Sequence, residues 1–110
     1  MTENKELKIM KIGNGKTKED GVVKKIRGYA PRVGKSLSEL LKENGEVKMV
    51  SMGGDAASVM VKAIAHAQNL LKEEDRDLVA TDFAFETTDM TSFNGKTTQG
   101  KVITVLVKLV

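Results

Sequence analysis

Residues 33–71 read VGKSLSELLKENGEVKMVSMGGDAASVMVKAIAHAQNLL, and the change of period within this stretch decides the fold. Val33, Leu37, Leu40 and Leu41 recur at i, i+4, i+7 and i+8, which is one apolar stripe of a helix. Pro31 sits where that helix begins, since it lacks only an N–H that a first turn leaves unpaired. Asn44-Gly45 ends it, Gly being the residue that tolerates the left-handed conformation after a last turn. The period then falls to two. Val47–Met52 places Val47, Met49 and Ser51 on one face and Lys48, Val50 and Met52 on the other, a strand. Gly53-Gly54 turns the chain and Asp55 is set to cap the next helix. That helix, Ala56–Leu71, is apolar around most of its circumference, with a polar stripe of Ser58, Lys62, His66 and Asn69. A helix so apolar is covered on more than one side, by the sheet, the first helix or a second copy of the chain.

Upstream, Val22–Gly28 reads as the first core strand from Val22, Val23 and Ile26 and from the Gly that ends it. The polar lead-in Met1–Gly21 contains one alternating run, Leu7, Ile9 and Lys11 against Lys8, Met10 and Ile12. It predicts either an extra N-terminal edge strand turned back by Gly13-Asn14-Gly15, or a tail. Downstream, Leu78–Phe85 and Val102–Val110 are strands, the second with Ile103, Val105, Val107 and Leu109 on one face. Between them Glu86–Lys101 reads as a long polar loop with Asn94-Gly95 at its middle, and loops of that length are uncommon unless functional. The prediction is a mixed α/β (α+β) two-layer sandwich of order β-α-β-α-β-β over residues 22–110, with residues 1–21 as an extension.

At 110 residues the chain fits one domain able to bury a core without staples. It has no cysteine, which removes disulfides, thiolate chemistry and Cys-type zinc sites together. Met1–Lys8 has no apolar run of the signal-peptide kind, and Ser58, Lys62 and His66 interrupt the most apolar stretch. A soluble, cytoplasmic protein is expected. Gly15-Lys16-Thr17, Gly34-Lys35-Ser36 and Gly95-Lys96-Thr97 imitate the end of a phosphate-binding loop. The glycine required five residues earlier is replaced by Met10, Tyr29 and Met90, so none qualifies. His66 is the one histidine, too few for a His-based metal site, and no Gly-x-Ser-x-Gly elbow is present. No enzyme, no metal, no cofactor and no small-molecule substrate is expected.

Charge is segregated along the chain. Val22–Ser38 carries five cations (Lys24, Lys25, Arg27, Arg32, Lys35) and no acid, whereas Glu73–Asp89 carries seven acids against Arg76. Lys96, Lys101 and Lys108 follow without an acid. Such a surface suits a polyanion or an oppositely charged partner. Gly53 and Gly54, leading into helix N–H groups, form a candidate anion-binding turn, opposed by the carboxylate of Asp55.

The middle of the chain resembles the stage V sporulation protein S family of the Alba-like superfamily. The resemblance is carried by Val33-Gly34-Lys35-Ser36-Leu37, Leu41–Gly45, Met52-Gly53-Gly54, Val61–Ala67 and Asp77-Leu78, within residues 22–110. It implies the same β-α-β-α-β-β fold, a homodimer held largely by helices, and nucleic-acid binding, to DNA or RNA, in a regulatory or nucleoid-associated role. Alba-like proteins place basic residues after the first strand and before the second helix, and reach along a duplex with their last hairpin. Here Gly28 and Tyr29 match the first basic pair, and Gly53-Gly54-Asp55 stands where archaeal Alba has Arg-Gly-Arg. The expected contact residues are Lys24, Lys25, Arg27, Arg32, Lys35, Lys96 and Lys101. The alternative is a protein–protein assembly module of the same fold that binds no nucleic acid.

Overall fold

The computed structural model describes residues 7–91 and 95–110. The start of the lead-in, Met1–Glu6, and Asn94 of the expected turn lie outside the described residues. The elements in order are β1 (Lys8–Ile12), β2 (Lys16–Glu19), β3 (Val22–Lys25), α1 (Tyr29–Asn44), β4 (Glu46–Ser51), α2 (Gly54–Lys72), β5 (Leu78–Thr91) and β6 (Thr97–Leu109). One sheet has the spatial order β1-β4-β6-β5, and β2-β3 is a separate hairpin. With that hairpin set aside as an insertion, the order is the predicted β-α-β-α-β-β. No helix among the described residues is long and apolar enough to cross a membrane.

The first core strand is β1, not Val22–Gly28. β1 pairs in parallel with β4, from Lys8 opposite Val47 to Ile12 opposite Ser51, and forms an edge of the sheet. Ile12 is buried and Met10 packs against the core, whereas every residue of β3 is exposed. The β-branched content of Val22-Val23 correctly signals a strand, but propensity does not say which sheet receives it. Asp20 and Gly21 both have positive φ, 50° and 78°, as a two-residue hairpin turn requires. They fold β3 back onto β2, with Glu19 opposite Val22 and Lys16 opposite Lys25.

Glu86–Lys101 is likewise strand rather than loop. β5 and β6 stay paired from Glu86 opposite Val102 out to Thr91 opposite Thr97. The side chains from Glu86 to Asp89 and from Thr97 to Gln99 are exposed, so no apolar alternation marks this two-stranded arm. Its register slips between Thr81 and Ala84, where Asp82 takes a φ of 58° and bulges the strand.

Both helices pack on one face of the sheet. Leu37 and Leu41 of α1 meet Met60, Ala63, Ala67 and Leu71 of α2 above Val47, Met49, Val105 and Val107. α1 begins at Tyr29, two residues before Pro31, and ends at Gly45, whose N–H donates to Leu41 O at 2.8 Å with φ 83°. α2 begins at Gly54 after Gly53, whose φ of 85° and ψ of 163° suit only glycine. Asp55 is therefore not the cap but a first-turn residue, and α2 has no side-chain cap.

The helices touch most closely at Gly34. A Cβ at that position would stand 2.8 Å from both the Ala63 carbonyl oxygen and His66 Cβ. His66 is accordingly half-buried over Gly34 instead of lying on a solvated stripe with Ser58, Lys62 and Asn69. Because one obstacle is backbone, it cannot rotate away. Gly34→Ala is therefore expected to destabilise the fold by about 1–2 kcal/mol, overpacking outweighing the helix propensity gained. A lower denaturant midpoint at unchanged m-value checks this.

Candidate nucleic-acid interface

Strand direction decides which loops meet. β1, β4 and β5 run the same way, and Ile12, Ser51, Ile103 and Phe85 are successive partners across the sheet near one end. The chain leaves β1 and β4 at that end, so the β2-β3 hairpin, the starts of α1 and α2, and the β5-β6 arm gather there. At the opposite end lie Gly45, the 73–77 turn and the close of β6, where Leu78 faces Leu109.

This geometry gathers many of the cations at one end, although Glu19 and Asp20 share the hairpin and Glu86 and Asp89 stay on the arm. Lys16, Lys18, Lys24, Lys25 and Arg27 all belong to the hairpin or its exit, and Arg32 follows in the first turn of α1. The Arg32 guanidinium donates to Arg27 O at 3.2 Å, which ties the hairpin exit to the helix start. Lys24 has a loose carboxylate partner, Glu19, at 3.8 Å, whereas Lys18, Lys25, Arg27 and Arg32 have none among the described residues. Glu73, Glu74, Asp75 and Asp77 cluster at the far end, where Glu74 pairs with Lys42 at 2.9 Å.

The expected contact residues divide accordingly. Lys24, Lys25, Arg27 and Arg32 come together. Lys35 does not join them, since it lines a groove with Glu39, Lys42, Glu73 and Glu74. Lys96 and Lys101 lie on the arm at the other edge of the sheet, Lys101 opposite Thr87. Gly53 and Gly54 stand at the β4–α2 turn. The connection from β1 to α1, residues 13–28, carries Lys16 and Lys18 besides the expected Lys24, Lys25 and Arg27. Lys16 and Lys18 were hidden in the polar lead-in, and Asp20-Gly21 was the signal that could have found them.

Two contacts seat the hairpin on the domain. The Gly13 N–H donates to Tyr29 Oη at 3.2 Å, and a Cβ at Gly15 (φ 74°) would press to 3.1 Å from the Tyr29 ring. Lys16 Nζ meets Asp55 Oδ2 at 2.7 Å. Between hairpin, α1 and α2 remains a cleft of about 400 Å³ lined in part by Lys16, Lys25, Tyr29, Asp55, Ser58 and Lys62. The hydrogen bond from Lys16, then its charge and that of Lys25, hold the Asp55 carboxyl below the usual aspartate range. A carboxyl depressed on folding stabilises above its unfolded value and loses that contribution as pH falls through the folded one. The thermal midpoint is expected to drop on acidification below pH about 4, less steeply in Asp55→Asn. Asp77, lowered by Gln68 and the Leu78 N–H, accounts for part of the residual slope.

Alba from Thermoplasma volcanium has a similar fold, with a TM-score of 0.59 at 9% identity over 91% of this chain and 98% of that one. A search of curated protein sequences finds no match. The family described as stage V sporulation protein S matches residues 27–106, which include both helices and most of the sheet. The chain, Alba-like in fold, belongs to the stage V sporulation protein S family.

Proposed function

We propose that this protein is a homodimeric, cytoplasmic nucleic-acid-binding protein that grips phosphate backbone and acts in regulation or chromosome organisation, without catalysis. The observation that carries the proposal is the gathering of Lys18, Lys24, Lys25, Arg27 and Arg32 at the end of the fold that also bears the Lys96 and Lys101 arm. The acids Glu73–Asp77 fall at the other end, and of the two acids that remain on the arm Glu86 is paired with Lys48 at 2.9 Å. These are lysines and arginines on a hairpin and a helix start, a surface suited to phosphates and not to base edges.

With about five phosphate contacts per subunit, the log–log salt slope is expected near −4 per subunit on duplex DNA or RNA. Charge reversal of Lys24, Lys25 and Arg27 together should abolish this binding while leaving the fold intact. Absence of binding to any duplex at low salt would refute the proposal and favour an assembly module.

Dimerisation is supported by apolar side chains the single chain leaves in solvent. Val61 of α2 is 58% exposed, and Phe83 and Phe85 of β5 are 60% and 76% exposed. Phe85 lies opposite Ile103, on the same face of the sheet as the helices but past their cover. Light scattering should give a dimer at micromolar concentration, and Phe85→Glu should shift it toward monomer.

A further inference from the structure

The cleft beneath the hairpin is lined by several donors that have no protein acceptor among the described residues. Lys25 and Lys62 make no close ion pair among the described residues, Lys25 acting on Asp55 only through its charge. Tyr29 Oη accepts the Gly13 N–H, and among the described residues neither its own proton nor the Ser58 hydroxyl has a protein acceptor. The one carboxylate of the lining, Asp55, is already joined to Lys16. Three ammonium groups against that single carboxylate leave two net positive charges in the cleft. Ile26, Ala30 and Val59 complete it with apolar surface. Its volume of about 400 Å³ far exceeds a bare phosphate and falls in the range of small-molecule sites, about 300–1,000 Å³.

We propose that this cleft binds a phosphomonoester of the nucleoside monophosphate class. Lys25, Lys62 and the Tyr29 and Ser58 hydroxyls take the phosphate, and the nucleoside lies along Ile26 and Val59. A monoester carries nearly two charges at neutral pH where a backbone diester carries one, which matches the charge excess of the cleft. The site goes beyond backbone gripping and uses Lys62 and Ser58, which the proposed duplex surface does not. The monophosphate could be supplied by a free nucleotide or by the phosphorylated end of a nucleic-acid strand.

The test is an amide-resolved NMR titration of the full chain with adenosine monophosphate, adenosine, inorganic phosphate, and one oligonucleotide with and without a terminal phosphate. Adenosine monophosphate or the phosphorylated oligonucleotide should saturate shifts at Asn14–Lys16, Gly28–Ala30 and Ser58–Lys62. Phosphate and adenosine alone should bind at least about tenfold more weakly. Lys62→Ala should weaken binding about tenfold. A terminal-phosphate preference with no effect of adenosine monophosphate assigns the strand end as the source, and the converse assigns the free nucleotide. Unmoved cleft amides with both ligands, parity of inorganic phosphate with the monophosphate, or an unchanged affinity in folded Lys62→Ala overturns the proposal. Duplex binding is read separately in a charge-reversal variant of Lys18, Lys24 and Arg27, none of which lines the cleft, so either idea can fail alone.

Discussion

The close contact of α1 with α2 at Gly34 is the constraint on which the rest of the molecule depends. Only a residue without a side chain lets α1 approach the Ala63 carbonyl and the stem of His66, and that approach lets both helices share one face of a four-stranded sheet. The small residues facing it, Ala63 and Ala67, are fully buried for the same reason. Packing at this density leaves no room for a methyl group without displacement of backbone. With both helices laid on the same face and in the same direction, their N-terminal turns emerge side by side, and the hairpin cations and Arg32 are built around them.

The hairpin shows how a surface element can be positioned with little burial. Its strands expose nearly every side chain, and the valines of β3 contribute almost nothing to the core. What holds it is the ring of Tyr29 under the Gly13–Gly15 loop and the ion pair of Lys16 with Asp55. Asp55 thus has a role different from the opposition to phosphate that its position suggests. By engaging Lys16 it neutralises itself and anchors the element that presents Lys24, Lys25 and Arg27. An exposed pair of this kind adds little stability, so its worth lies in orientation.

Several features were legible because they follow from local periodicity. The stripe of Leu37 and Leu41, the glycine stop at Gly45 and the alternation of Val105 and Val107 all appear as expected. The misreadings share a cause. Val22-Val23 has strand propensity but pairs locally through the Asp20-Gly21 turn, and the threonines of the arm pair without any buried face. Hydrophobic pattern reports burial, not hydrogen bonding, so a strand exposed on both sides is invisible to it. His66 was misplaced because a helical wheel does not show that the neighbouring helix carries a glycine opposite.

By itself the sequence determined the element order, the helix–strand alternation, the absence of cysteine chemistry and the grouping of cations near residues 22–38. Those properties are local or compositional, and each is written in a few consecutive residues. Only the tertiary structure decided that β1 and not β3 enters the sheet, that Lys35 faces acids, and that Lys16, Lys25 and Lys62 line one cleft. Lys16 and Lys62 are far apart in the chain, and no periodicity relates them. They meet because parallel pairing of β1 with β4 brings the hairpin and the start of α2 to the same end of the sheet.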